Sequence, residues 1–173
     1  MSIVFLHRLW RFVLLMLLQL VLLNHIHLFG YVMPLVLVYL TMNFSRGTSR
    51  IGLLLWGFAC GLVYDVFSNT MGLAMTTCTL MAMLQPALLN LFTPREAPED
   101  MVPSMKNMGV YRYSSYNFIS LLLFHIAFYA LDAFTLSNWQ LTLLSIGGGT
   151  FMAFVIVELM QSLHPNANSE NLT

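Results

Sequence analysis

Trp56-Gly57-Phe58-Ala59-Cys60-Gly61-Leu62-Val63-Tyr64-Asp65-Val66-Phe67-Ser68-Asn69-Thr70-Met71-Gly72-Leu73 is the stretch that decides how this chain folds. It reads as an apolar helix that carries one carboxylate near its end and stops at a polar turn. Gly57, Gly61 and Asp65 recur every four residues, so one helix face carries the glycines and leads to the carboxylate. Glycines at that spacing let another helix backbone approach closely, where dispersion and weak hydrogen bonds replace the absent hydrophobic drive. The carboxylate is then brought against a partner helix or against the Ser68-Asn69-Thr70 turn. Ser68 or Asn69 is placed to cap the following helix, with Gly72 relaxing the turn.

The rest of the chain puts this helix in a membrane. Of 173 residues, 8% are charged and 58% hydrophobic, whereas a soluble protein carries roughly 25% charge. Mean hydropathy is +0.76. So few charges cannot cover that much apolar surface, and lipid must be part of the solvent. The formal net charge is zero, which gives no reason to expect a nucleic-acid partner. Cys60 and Cys78 lie in apolar runs without ligand-like spacing and read as packing residues rather than as a disulfide or zinc site.

A spanning helix needs roughly 20 apolar residues. Six segments qualify, at about 9–26, 29–45, 50–67, 70–92, 114–134 and 139–162, which makes 1–163 one all-α transmembrane bundle and leaves 164–173 as a polar, frayed tail. The first resembles a signal peptide, but no small-residue cleavage site follows it, so it is expected to stay as a helix. Basic residues fix the orientation. Arg8 and Arg11, Arg46 and Arg50, and Arg95, Lys106 and Arg112 all fall on one side, and the other connections carry none. The positive-inside rule makes that side cytoplasmic and places both termini there, in a bacterial inner membrane. The long connection, 93–113, holds Pro94, Pro98 and Pro103 and reads as an irregular cytoplasmic loop. Tyr111, Tyr113 and Tyr116 are expected at headgroup level beside it.

Ionisable residues within a bilayer need a reason, because each costs about 2.5–3.5 kcal/mol at mid-helix. Asp65 lies roughly 22 Å along its segment, toward the outer surface. Glu158 near the inner end and Asp132 near the outer end can bend outward to water or, for Glu158, to a cytoplasmic arginine. His125, Tyr129 and Asp132 share a helix face and suggest either a polar cavity or a hydrogen-bonded pair sealing a helix contact. Ser145, Gly149 and Ala153 form a second small-residue packing face. Pro86 after Gln85 is expected to kink its helix. Met71, Met75, Met81 and Met83 read as adaptable packing rather than a metal path. No glycine-flanked serine and no aspartyl-protease motif occurs, and His25-Ile26-His27 reads as polar turn chemistry, so neither an enzyme nor a metal or other cofactor site is expected.

At this point the chain resembles the bacterial rod-shape-determining MreD family. The likeness runs from Gln19 in an apolar first segment, through Phe29-Gly30-Tyr31-Val32-Met33-Pro34, to the run quoted above. Gly61, Asp65, Ser68 and Gly72 match the family signature residue by residue, with Gln19, Pro34 and Gly57 supporting it. Asn69 stands where the family often has glycine. The resemblance implies a non-enzymatic scaffold of the cell-elongation machinery. Its implied partners are MreC and, directly or indirectly, the actin-like MreB and the peptidoglycan polymerase and transpeptidase, with membrane lipid around it. Either small-residue face leaves self-association into a homo-oligomer open. The family fold is also thought similar to the substrate-binding components of energy-coupling-factor transporters. That supplies the alternative, a membrane subunit binding a vitamin or other small molecule in an outer cavity near Asp65 and Asp132.

Overall fold

The computed structural model describes residues 36–70, 72–94, 97–98, 100–132 and 139–163. In chain order the elements are α1 (Val38–Met42), α2 (Arg50–Ser68), α3 (Leu73–Phe92), α4 (Met105–Met108), α5 (Val110–Asp132) and α6 (Trp139–Leu163), with no strand among the described residues. Four spans are long and apolar enough to cross a membrane: Arg50–Ser68, Leu73–Phe92, Val110–Asp132 and Thr142–Ser162. The protein is an all-α membrane protein. The expected segment 9–26, the start of 29–45, the tail 164–173, and with them Gln19, Pro34 and Met71, lie outside the described residues.

Local sequence explains where these helices begin and stop. Ser49 caps α2 by accepting the Gly52 amide at 3.3 Å, and Asn69 ends it in a left-handed conformation. α3 runs through Pro86 to Phe92. The connection expected to be irregular holds a short helix, α4, whose cap is the Ser104 hydroxyl accepting the Asn107 amide at 3.2 Å. Gly109, at φ +82°, then turns the chain directly into α5, which starts at Val110 rather than at 114. The connection is also tied to the bundle, since the Arg46 amide donates to the Met101 carbonyl and its guanidinium to the Ala97 carbonyl, both at 3.2 Å.

α3 lies between α2 and α5, α6 packs on α5, and α1 is wedged against α2, α3 and α5. The core is built from Leu53, Cys60, Tyr64, Cys78, Met81, Leu89, Leu121, Phe124 and Val157. Facing outward on α2 are Ile51, Leu55, Phe58, Leu62 and Val66. Only 28–44% of the most apolar stretch of each span is buried within the protein. Water could not solvate the remainder, so lipid covers it.

Burial divides the aromatic residues at the start of α5. Tyr113 and Tyr116 are each 2% exposed and pack inside the bundle, while Tyr111 is exposed. The Tyr116 hydroxyl donates to the Met42 carbonyl at 3.0 Å, which satisfies the backbone at the frayed end of the short α1. A tyrosine that reaches an orphan carbonyl pairs its own hydroxyl as it buries its ring. The methionines of α3 also separate, with Met81 buried and Met83 exposed, so they do not form one face.

Candidate functional site at the α2–α3 turn

The face that carries Gly57, Gly61 and Asp65 is turned entirely inward, onto α3. A Cβ placed on Gly57 would stand 2.8 Å from both the Cys78 carbonyl oxygen and the Ala82 Cβ. One on Gly61 would stand 2.5 Å from the Ala74 carbonyl oxygen and 2.6 Å from the Met75 amide nitrogen, and would meet the Met75 Cα as well. Those obstacles are backbone and cannot swing away. Only glycine allows the two helices to come this close.

Close approach has an electrostatic consequence at the end of the hairpin. It delivers the Asp65 carboxylate, 7% exposed, over the first turn of α3. Asp65 Oδ1 accepts the Ala74 amide at 3.0 Å and the Thr70 hydroxyl at 2.5 Å, and Oδ2 accepts the Met75 amide at 2.8 Å. These are among the amides that a helix leaves without an internal acceptor, at the end where its dipole favours negative charge. Neither Ser68 nor Asn69 is the cap. The N-cap position of α3 is Gly72, which offers no side chain, and the carboxylate from the preceding helix does the work instead.

The turn itself is held from the same residue. The Asp65 carbonyl accepts the amides of Asn69 and of Thr70, the latter at 3.1 Å. Asn69 has φ +54° and Gly72 φ +78°. Both lie in the left-handed region, which asparagine tolerates better than most residues and glycine enters freely. Asn69 thus supplies a backbone shape that glycine would also adopt here. Ser68 is half-buried at the last position of α2.

The other sequence candidates separate into a packing face and a ring stack. Ser145, Gly149 and Ala153 are all buried on α6 and continue into Val157 and Gln161, so the small-residue stripe is a contact face of the bundle. His125 is fully buried, its Nδ1 2.8 Å from the Leu121 carbonyl, and its ring stacks on Tyr129 at 6.3 Å. Asp132 sits half-buried at the end of α5. Among the described residues no group of three or more His, Cys, Asp or Glu converges.

Several polar contacts had no clear signal in the sequence. Gln85 is buried and donates to the Phe44 carbonyl at 3.1 Å, and Tyr39 donates to Gln161 Oε1 at 3.1 Å. The signal for Gln85 was its polarity within an apolar run beside Pro86. For Tyr39 there was none, because its partner is 122 residues away. No protein-family model, curated protein or solved structure matches the chain.

Proposed function

We propose that the protein is a non-enzymatic scaffold of the bacterial elongation machinery, a member of the MreD family. In this reading it crosses the inner membrane six times with both termini cytoplasmic, and holds MreC and associated peptidoglycan-synthesis components. The observation that carries the reading is the use of Asp65. Both its oxygens are committed to Thr70, Ala74 and Met75, within its own chain. A carboxylate so occupied is suited to holding a turn and poorly suited to acting as a nucleophile, base or ligand donor, which supports a structural role. The residues that resemble the family signature thus have a physical task together: Gly61 for close approach, Asp65 for the cap, Gly72 for the turn.

The Gly57–Gly61 face is filled by α3, so in this reading the surface offered to MreC lies elsewhere. A partner helix meets the outward surfaces of the bundle, and the hairpin acts as the stiff frame beneath them. Depleting the protein should round or widen rod-shaped cells and leave vitamin uptake intact, and the tagged protein should co-purify with MreC from solubilised membranes. Normal shape with lost uptake of a vitamin would replace this reading with the transporter-subunit one.

A further inference from the structure

A second polar assembly lies at the opposite end of the bundle from Asp65, where α1, the start of α5 and the end of α6 meet. Asn43 donates through Nδ2 to the Tyr39 hydroxyl at 3.2 Å, and Tyr39 donates to Gln161 Oε1 at 3.1 Å. Tyr113, 2% exposed, lies within electrostatic reach of both Tyr39 and Glu158. Glu158 precedes Gln161 by one helical turn on α6. Asn117, 7% exposed, follows Tyr113 by one turn on α5.

The balance of donors and acceptors here is uneven. Among the described residues, Glu158 Oε1, Asn43 Oδ1 and Asn117 Nδ2 are buried without a hydrogen-bond partner. Glu158 is half-buried, and its Oε1 is enclosed on the side that faces the bundle. Buried polar atoms in a helical bundle are normally satisfied, and a carboxylate oxygen enclosed without a donor is among the costliest exceptions. Two enclosed oxygens, one of them on a carboxylate, call for a positive group. Among the described residues the surrounding donors are phenol, amide and carboxylate oxygens, the set that suits a hard cation, with no thiolate or imidazole in it.

We propose that the Tyr39–Asn43–Tyr113–Glu158–Gln161 cluster binds a hard monovalent cation. Glu158 supplies the charged ligand and the Asn43 amide oxygen a neutral one. Bound there, the ion adds a cross-link to the Tyr39–Gln161 and Tyr116–Met42 hydrogen bonds that join α1 to α6 and α5. This site does not depend on the scaffold reading.

The test uses the full chain in nanodiscs. Sodium is titrated against N-methylglucamine at constant ionic strength while the melting temperature and the sodium-23 relaxation rate are followed. The wild type should show a saturable rise in melting temperature together with enhanced relaxation. Glu158→Gln, which keeps the side-chain volume, should require at least ten-fold more sodium for either response, and should melt like the sodium-free wild type in N-methylglucamine. Asn43→Ala, outside the long helices, should weaken the response less. A wild-type melting temperature indifferent to sodium, or an unchanged response in Glu158→Gln, overturns the proposal. Indifference is also the result expected if an arginine of the chain pairs with Glu158 instead.

Discussion

The α2–α3 and α5–α6 pairs are both antiparallel helix contacts between apolar spans, yet they are held by different means. α2 and α3 meet backbone to backbone, through Gly57 and Gly61, and are closed by a carboxylate on helix amides. α5 and α6 meet side chain to side chain. Phe118 and Phe154 pack edge to face at 5.6 Å, and Ser145, Gly149 and Ala153 are buried on α6. Side-chain contacts can adjust when a residue changes, because rotamers move. Backbone contacts cannot, so the first pair should be rigid and intolerant and the second forgiving.

Mutations can break this contrast at several strengths. Gly61→Leu should cost most, more than about 3 kcal/mol, because the obstacles are the Ala74 carbonyl and the Met75 backbone. The expected readout is loss of a cooperative melting transition in detergent. If Gly61→Leu instead melts normally and loses only MreC, the glycine face is an interface between proteins and the internal assignment is wrong. Asp65→Ala comes next, at about 2 kcal/mol by chemical denaturation, since it strands the Ala74 and Met75 amides. Asp65→Asn should lose less, because its amide oxygen can still accept. Phe118→Ala on the forgiving side should cost about 1 kcal/mol, the worth of an edge-to-face pair. Smallest of all, Gly147→Ala should be neutral or raise stability by about 0.5 kcal/mol, because nothing lies within 4 Å of the added methyl. A larger loss at Gly147 than at Phe118 would invert the contrast.

Hydropathy and the Gly57–Asp65 spacing already expose much of this in the sequence. Four of the expected spans coincide with helices in the structure, each end agreeing to within four residues. A period of four also identified the inward face of α2 correctly as one surface, because a helix places those residues in line. Which neighbour fills that face was not legible, since glycine spacing is the same for a contact within the chain and one between chains. Nor was the capping role of Asp65. Cap rules look to the residue just before a helix, and this acceptor lies nine residues before the amide it binds, across a turn whose shape depends on Asn69 and Gly72. The burial of Tyr116 was hidden for a related reason: its partner, the Met42 carbonyl, becomes an orphan only because α1 stops there.

The amide hydrogens of Ala74 and Met75 report on the α2–α3 lock directly. Their exchange in the reconstituted protein should be slow, and Asp65→Ala should accelerate it at least ten-fold while the amides at the middle of α5 keep their protection. Equal protection in the wild type and in Asp65→Ala would contradict the account, because it would mean that something other than this carboxylate holds the start of α3.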